Sequence, residues 1–195
     1  MVSPAVPGLF FCAAACALLI IASVSVPVWD SIYFLKVRSG GDEMRFGAWG
    51  YTGTSAHLGY YIPPEIVGVK SSDASRNSLH ALTFVMVLHP IAAAFAGLSV
   101  IFGLCGAAYS RAGTIMMTLS AALATLVTLV VWIIDMCLWG IAHHRVNHDT
   151  SFTATWGNAN WIVLGALVSL LIGSCTGLCG SCGRFRHRER TTTRV

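Results

Sequence analysis

The sequence predicts an all-α membrane protein: a bundle of four transmembrane helices with a small antiparallel β-sheet in its first extracellular loop. Three observations lead there. Four long apolar stretches recur along 195 residues, only 10% of the residues are charged, and the longest hydrophilic loop is built from β-branched and aromatic runs. A soluble domain carries ~25% charged residues, and a helix rising ~1.5 Å per residue needs ~20 residues to cross ~30 Å of hydrocarbon. Lipid offers no partner to backbone N–H and C=O groups, so stretches of this kind must be helices.

The four spans are expected at about 8–28, 81–109, 114–138 and 161–178, within one membrane domain covering 1–183. A competing reading makes residues 1–25 a cleaved leader, with Ala22 and Ser23 near the cut. The apolar run is too long for a leader, and the first seven residues hold no Lys or Arg. The first loop, about 29–80, opens at Trp29, where the first helix leaves the bilayer. Residues 31–38 and 43–51 flank the turn cluster Ser39-Gly40-Gly41-Asp42 and read as a hairpin. A third short strand is expected at 57–62, ending at Pro63-Pro64, which lack N–H donors. Trp49, Tyr51, Tyr60 and Tyr61 suit either the headgroup level or the core of the small sheet, and both readings stay open. The loop has no cysteine and no N-glycosylation sequon, so it must hold by strand pairing and packing.

In the second span His89 precedes Pro90. Proline removes one helical hydrogen bond, which predicts a kink, and the imidazole can satisfy the freed carbonyl or bond to a neighbouring helix. The third span contains Asp135, the one fixed charge within the four stretches. A carboxylate there needs water, the bundle interior or a partner. Arg145, His143 and His144 follow it and are the expected partners, which would pin the helix end to the outer domain. The second loop, about 139–160, holds His143, His144, His148 and Asp149. If the third helix continued outward, His144 and His148 would share a face at i, i+4, a spacing that can hold zinc. The plainer reading is a solvated loop, and no metal or cofactor is expected.

On the fourth span Gly165, Ser169, Gly173 and Gly177 recur every fourth residue, as Ala93 and Gly97 do on the second. Such faces let helices approach closely, within one bundle or between copies in a homo-oligomer. Cys175, Cys179 and Cys182 lie beside the basic tail 184–195 and are candidates for S-palmitoylation, while the tail arginines attract anionic membrane lipids. The cations of the short second connection and tail, Arg111, Arg184, Arg186, Arg188, Arg190 and Arg194, sit in far fewer residues than those of the two long loops. Both termini are therefore expected in the cytosol.

Four spans, the stranded first loop and the series Trp29…Phe46-Gly47-Ala48-Trp49-Gly50-Tyr51 together resemble the claudin-like tetraspan superfamily. Thr52 stands where claudins often carry a cysteine. Three further segments are similar to the fungal PalI/Sur family: Leu88-His89-Pro90-Ile91-Ala92, Asp135-Met136-Cys137-Leu138-Trp139-Gly140, and Gly157-Asn158-Ala159-Asn160-Trp161. The resemblance implies a fungal plasma-membrane protein. Its PalI branch assists the sensor of ambient alkaline pH, and its Sur branch populates eisosome-associated membrane compartments. The structural or interaction residues expected from the sequence are Trp29, Trp49, His89, Pro90, Asp135, Arg145, Asn158 and Trp161.

Two functions fit. One is a non-enzymatic membrane organiser or accessory protein, whose partners would be lipids and a pH-sensor-like or eisosome-associated membrane protein. The other is a small ion- or proton-coupled transporter using Asp135 and His89. No nucleophile–base pair or phosphate-binding loop is present to suggest an enzyme, and nothing suggests nucleic-acid binding.

Overall fold

A computed structural model describes residues 6–39, 41–56, 59–60, 83–108 and 111–192. Its elements in chain order are α1 (Val6–Ser23), β1 (Leu35–Ser39), β2 (Asp42–Phe46), α2 (Leu88–Ala108), α3 (Arg111–Asp149), β3 (Thr153–Trp156) and α4 (Ala159–Thr192). Four helical segments are long and apolar enough to cross a membrane: Val6–Ser23, Thr83–Gly106, Ala112–His148 and Ala159–Leu178. This is a multi-pass membrane protein with a claudin-like bundle. The helices form a ring in which α1 and α3 each touch both α2 and α4.

Small side chains set the helix spacing. Midway along the bundle the interior is Ala15, Leu19, Ala92, Ala96, Ala124, Ala166 and Leu170. A Cβ on Gly173 would come within 3.0 Å of the Cys12 sulfur, and one on Gly97 would lie 3.7 Å from the Cys16 sulfur. Both stripes of small residues therefore meet α1 inside the bundle. Close approach is what such helices gain, because apolar packing wins little over lipid.

At one end the bundle carries a three-stranded antiparallel sheet in the order β2-β1-β3. The hairpin pairs Leu35 with Phe46 and Arg38 with Glu43, as its sequence pattern suggested. The third strand is different. Positions 57, 58, 61 and 62 of the expected strand lie outside the described residues, and β3 comes instead from the second loop, pairing Val37 with Ala154. Strand alternation sends Leu35, Val37, Phe46 and Ala154 inward, all nearly fully buried, and Lys36, Arg38, Glu43 and Arg45 outward. Lys36 donates to Glu43 across 2.7 Å and Arg38 also pairs with it. These two cations hold the Glu43 carboxyl down at about 2.

Three helix ends depart from expectation. α1 stops at Ser23 rather than at residue 28, because residues 24–28 join the sheet end: the Val26 N–H donates to Ile32 O, and Val26 O accepts from Trp49 N–H. Pro27 could not have continued the helical ladder in any case. α3 runs past residue 138 to Asp149, about 58 Å for its 39 residues, nearly twice the thickness of hydrocarbon. Trp139, Ala142 and Val146 keep its inner face apolar along this extension, where they pack beneath the sheet. α4 likewise continues as helix to Thr192 through the basic segment expected as a tail.

Each sheet edge is partly covered. Thr52 N–H donates to Arg45 O on the β2 side. On the β3 side the Asn147 amide imitates a strand, accepting from Ala154 N–H at 2.9 Å and donating to Ala154 O at 3.3 Å. An open strand edge invites pairing with other chains, and these contacts occupy the middle of each edge.

Candidate functional site

The sheet and the bundle meet over a buried pair of ionisable side chains. His89 opens α2 and Asp135 lies on α3; His89 Nε2 is 3.1 Å from Asp135 Oδ2, with 0% and 2% of the two side chains exposed. The local sequence explains how His89 is presented. In a continuous helix the N–H of residue 90 would bond Met86 O, and Pro90 has none. Met86 O instead accepts from the His89 backbone N–H and pairs with His89 Nδ1, each at 3.1 Å. Pro90 thus falls in the first turn of α2, where its missing donor costs nothing. The expected kink becomes a break between the short turn at 83–87 and α2.

The proton inventory of the pair follows from these bonds. A carbonyl only accepts, so Nδ1 carries a proton. Exactly one more proton then lies between Nε2 and Oδ2, on imidazolium or on carboxyl. Either way the pair has zero net charge, so neither group is left as an uncompensated buried charge.

Above the pair sits Phe34, edge-on to the His89 ring at 5.4 Å and stacked on Trp139 at 5.8 Å. Phe46 packs on the same indole. Phe34, Phe46 and Trp139 are almost wholly buried, and each such side chain contributes roughly 1.5–3 kcal/mol by leaving water. The Trp139 indole nitrogen has no protein hydrogen-bond partner, so burial and stacking fix this ring.

The remaining motif residues fasten the sheet to helix ends. Trp49 donates its indole N–H to Ser23 O at 2.5 Å, and Ala48 N–H donates to Ser25 Oγ at 2.9 Å. The Trp49 bond caps the C-terminus of α1, where carbonyls have lost their helical partners, and the Ser25 bond ties the segment just beyond it to the sheet end. A Cβ at Gly47 would lie 2.2 Å from Val26 O, and one at Gly157 would lie 1.9 Å from Tyr33 O; only glycine permits these approaches. Asn158 Oδ1 accepts from Tyr33 N–H, and its Nδ2 donates to Ser31 O. Asn160 Nδ2 donates to Phe34 O at 3.3 Å. Tyr60, buried, donates to Gly47 O at 2.9 Å, and its burial pushes the phenol's pKa upward.

The structure thus brings Trp49, His89, Pro90, Asp135 and Asn158 to one joint and leaves others outside it. Arg145, His143 and His144 are not the partners of Asp135. A helix that continues straight carries them about 12–15 Å along its axis from Asp135. Trp29 and Trp161 are 51% and 68% exposed, as suits aromatic rings at a membrane interface. Cys175 is an exposed free thiol on α4, whereas the side chains of Cys179 and Cys182 lie outside the described residues. Sequence reasoning missed His89 as the partner of Asp135 and missed the roles of Asn147 and Asn160. Among the described residues no group of three His, Cys, Asp or Glu side chains is placed to hold a metal ion.

The pair predicts a non-additive mutant cycle. Asp135→Leu strands the buried His89 and should cost about 1–3 kcal/mol, while the joint replacement of His89 and Asp135 by leucine should recover much of that loss. Thermal unfolding of the four proteins in detergent measures it, and additive losses would contradict a direct His89–Asp135 coupling.

The chain was also compared with known proteins. The model of one protein family, described as the SUR7/PalI family, matches residues 4–173. No curated protein matches the chain.

Proposed function

The chain belongs to the SUR7/PalI family, and on that premise we propose that it is a non-enzymatic organiser or accessory protein of the plasma membrane. In this reading it supports a membrane-protein partner of the pH-sensor or eisosome-associated kind. One observation carries the proposal: within the bundle, five serine and threonine hydroxyls and the ionisable pair are occupied by their own structure. Ser99, Thr125, Thr128, Ser169 and Ser174 each donate to a carbonyl three or four residues back on the same helix. His89 and Asp135 occupy each other beneath Phe34. A transporter needs polar groups converging on a path across the membrane, and the hydroxyls of Ser99, Thr125, Thr128, Ser169 and Ser174 turn back to their own helices instead.

The sheet end is assigned to the outside and both termini to the cytosol, on the density of arginine in the short connection and at the end of α4. A cysteine introduced at the exposed Ser55 should react with an impermeant maleimide on intact cells, and one introduced at Thr192 should stay protected. The reverse pattern would overturn the orientation.

Asp135 separates organiser from transporter. Asp135→Asn can donate to His89 Nε2 while Nδ1 keeps its bond to Met86 O, so the joint survives and most surface expression should remain. Asp135→Leu leaves a buried nitrogen unsatisfied, at about 1–3 kcal/mol, and should lower surface expression. A proton-coupled transporter gives another order: both variants reach the surface at normal levels, and both lose transport. That outcome would displace the organiser reading.

A further inference from the structure

The extension of α3 beyond the joint carries a feature that the organiser reading does not use. His144 and His148 are both exposed, one helical turn apart, with ring centroids separated by 4.4 Å. We propose that they form a two-histidine site for a borderline divalent transition-metal ion of the Zn2+, Cu2+ or Ni2+ class.

The spacing of the two rings is close to what such an ion requires. Imidazole nitrogens bind Zn2+ at about 2.0–2.1 Å. Adding the distance from nitrogen to ring centre places each centroid about 3.2 Å from the metal. Two ligands at 90–109° then hold their centroids about 4.5–5.2 Å apart, and a shift of a few tenths of an ångström brings the observed rings there. Imidazole suits this group of metals, whereas Mg2+ and Ca2+ take oxygen ligands.

The backbone beneath the pair is fixed in advance. Val146, between the two histidines in sequence, is 0% exposed in the core under the sheet. Asn147 is tied to both the N–H and the C=O of Ala154. This turn of helix therefore does not have to be ordered by the ion, which removes part of the cost of binding. His143 is committed elsewhere: its ring stacks on Trp156 at 5.4 Å, and its Nε2 lies 3.3 Å from the Asn147 amide nitrogen. With two side-chain ligands the ion keeps open positions for water or for a donor on a neighbouring molecule. The site is correspondingly weaker than a closed structural zinc site.

The test uses the full chain without a histidine tag, in lipid nanodiscs, titrated with Cu2+ and followed by electron paramagnetic resonance. The first equivalent should show nitrogen couplings from two imidazoles. His144→Ala with His148→Ala should remove that spectrum and weaken first-site binding by more than about tenfold, since even outer-sphere partners contribute that much. His143→Ala should leave it unchanged. Both replaced residues are exposed, so helix content by circular dichroism should not move. No binding above that of empty nanodiscs, or a first-equivalent spectrum that survives the double replacement, would overturn the proposal.

Discussion

A carboxylate inside a lipid-embedded bundle must be neutralised or hydrated, and much of this structure is arranged around how Asp135 is neutralised. Its partner has to come from another helix at the same depth, and His89 on α2 meets that requirement at 3.1 Å. His89 can do so because Pro90 frees Met86 O, which orients the imidazole through Nδ1. With that bond made, the other ring nitrogen points at α3. The pair then offers an apolar ring edge to Phe34 above it, and the sheet has a floor.

The other fastenings follow from placing a sheet on helix ends. Helix termini expose unpaired backbone groups, and a sheet lying on them must satisfy those groups or exclude itself. Trp49 does this at the end of α1 by donating to Ser23 O, and Tyr33 O does it at the start of α4 by accepting the Ala159 N–H, while Asn158 and Asn160 bond the backbone of the first loop at Ser31, Tyr33 and Phe34. Gly47 and Gly157 mark where backbones touch. Three segments far apart in sequence therefore converge on one joint. The second loop contributes as much to it as the first, since β3 completes the sheet and Asn147 partly covers its edge.

The four helices, the hairpin and the small-residue faces were legible because each is a local pattern: an apolar run of spanning length, an alternation about a turn, a four-residue repeat. What was not legible depended on one boundary. Ending the third helix at residue 138 put Asp135 near a helix end, where a carboxylate reaches water and the nearest polar residues are Arg145 and the histidines. The helix in fact continues through Gly140 and His143 to Asp149, because Ala142 and Val146 maintain a buried stripe beneath a sheet that no local pattern reveals. That continuation sinks Asp135 about 21 Å below the helix end, to the depth of His89. It also turns a spacing that mattered only conditionally, His144 to His148, into a shared helical face. β3 was missed for a related reason: its four residues Thr153–Trp156 have no hairpin partner in sequence, and only the folded hairpin of the first loop supplies one.

If the His89–Asp135 pair is the floor on which the sheet rests, breaking it must loosen the sheet before it loosens the middle of the bundle. Amide hydrogen exchange on the protein in nanodiscs reads this directly. With Asp135→Leu, the amides of Val37 and Thr155 should lose protection, while those of Ala96 and Ala124, in the alanine-lined interior, should keep theirs. Unchanged protection in the sheet, or equal loss throughout the bundle, would contradict the account.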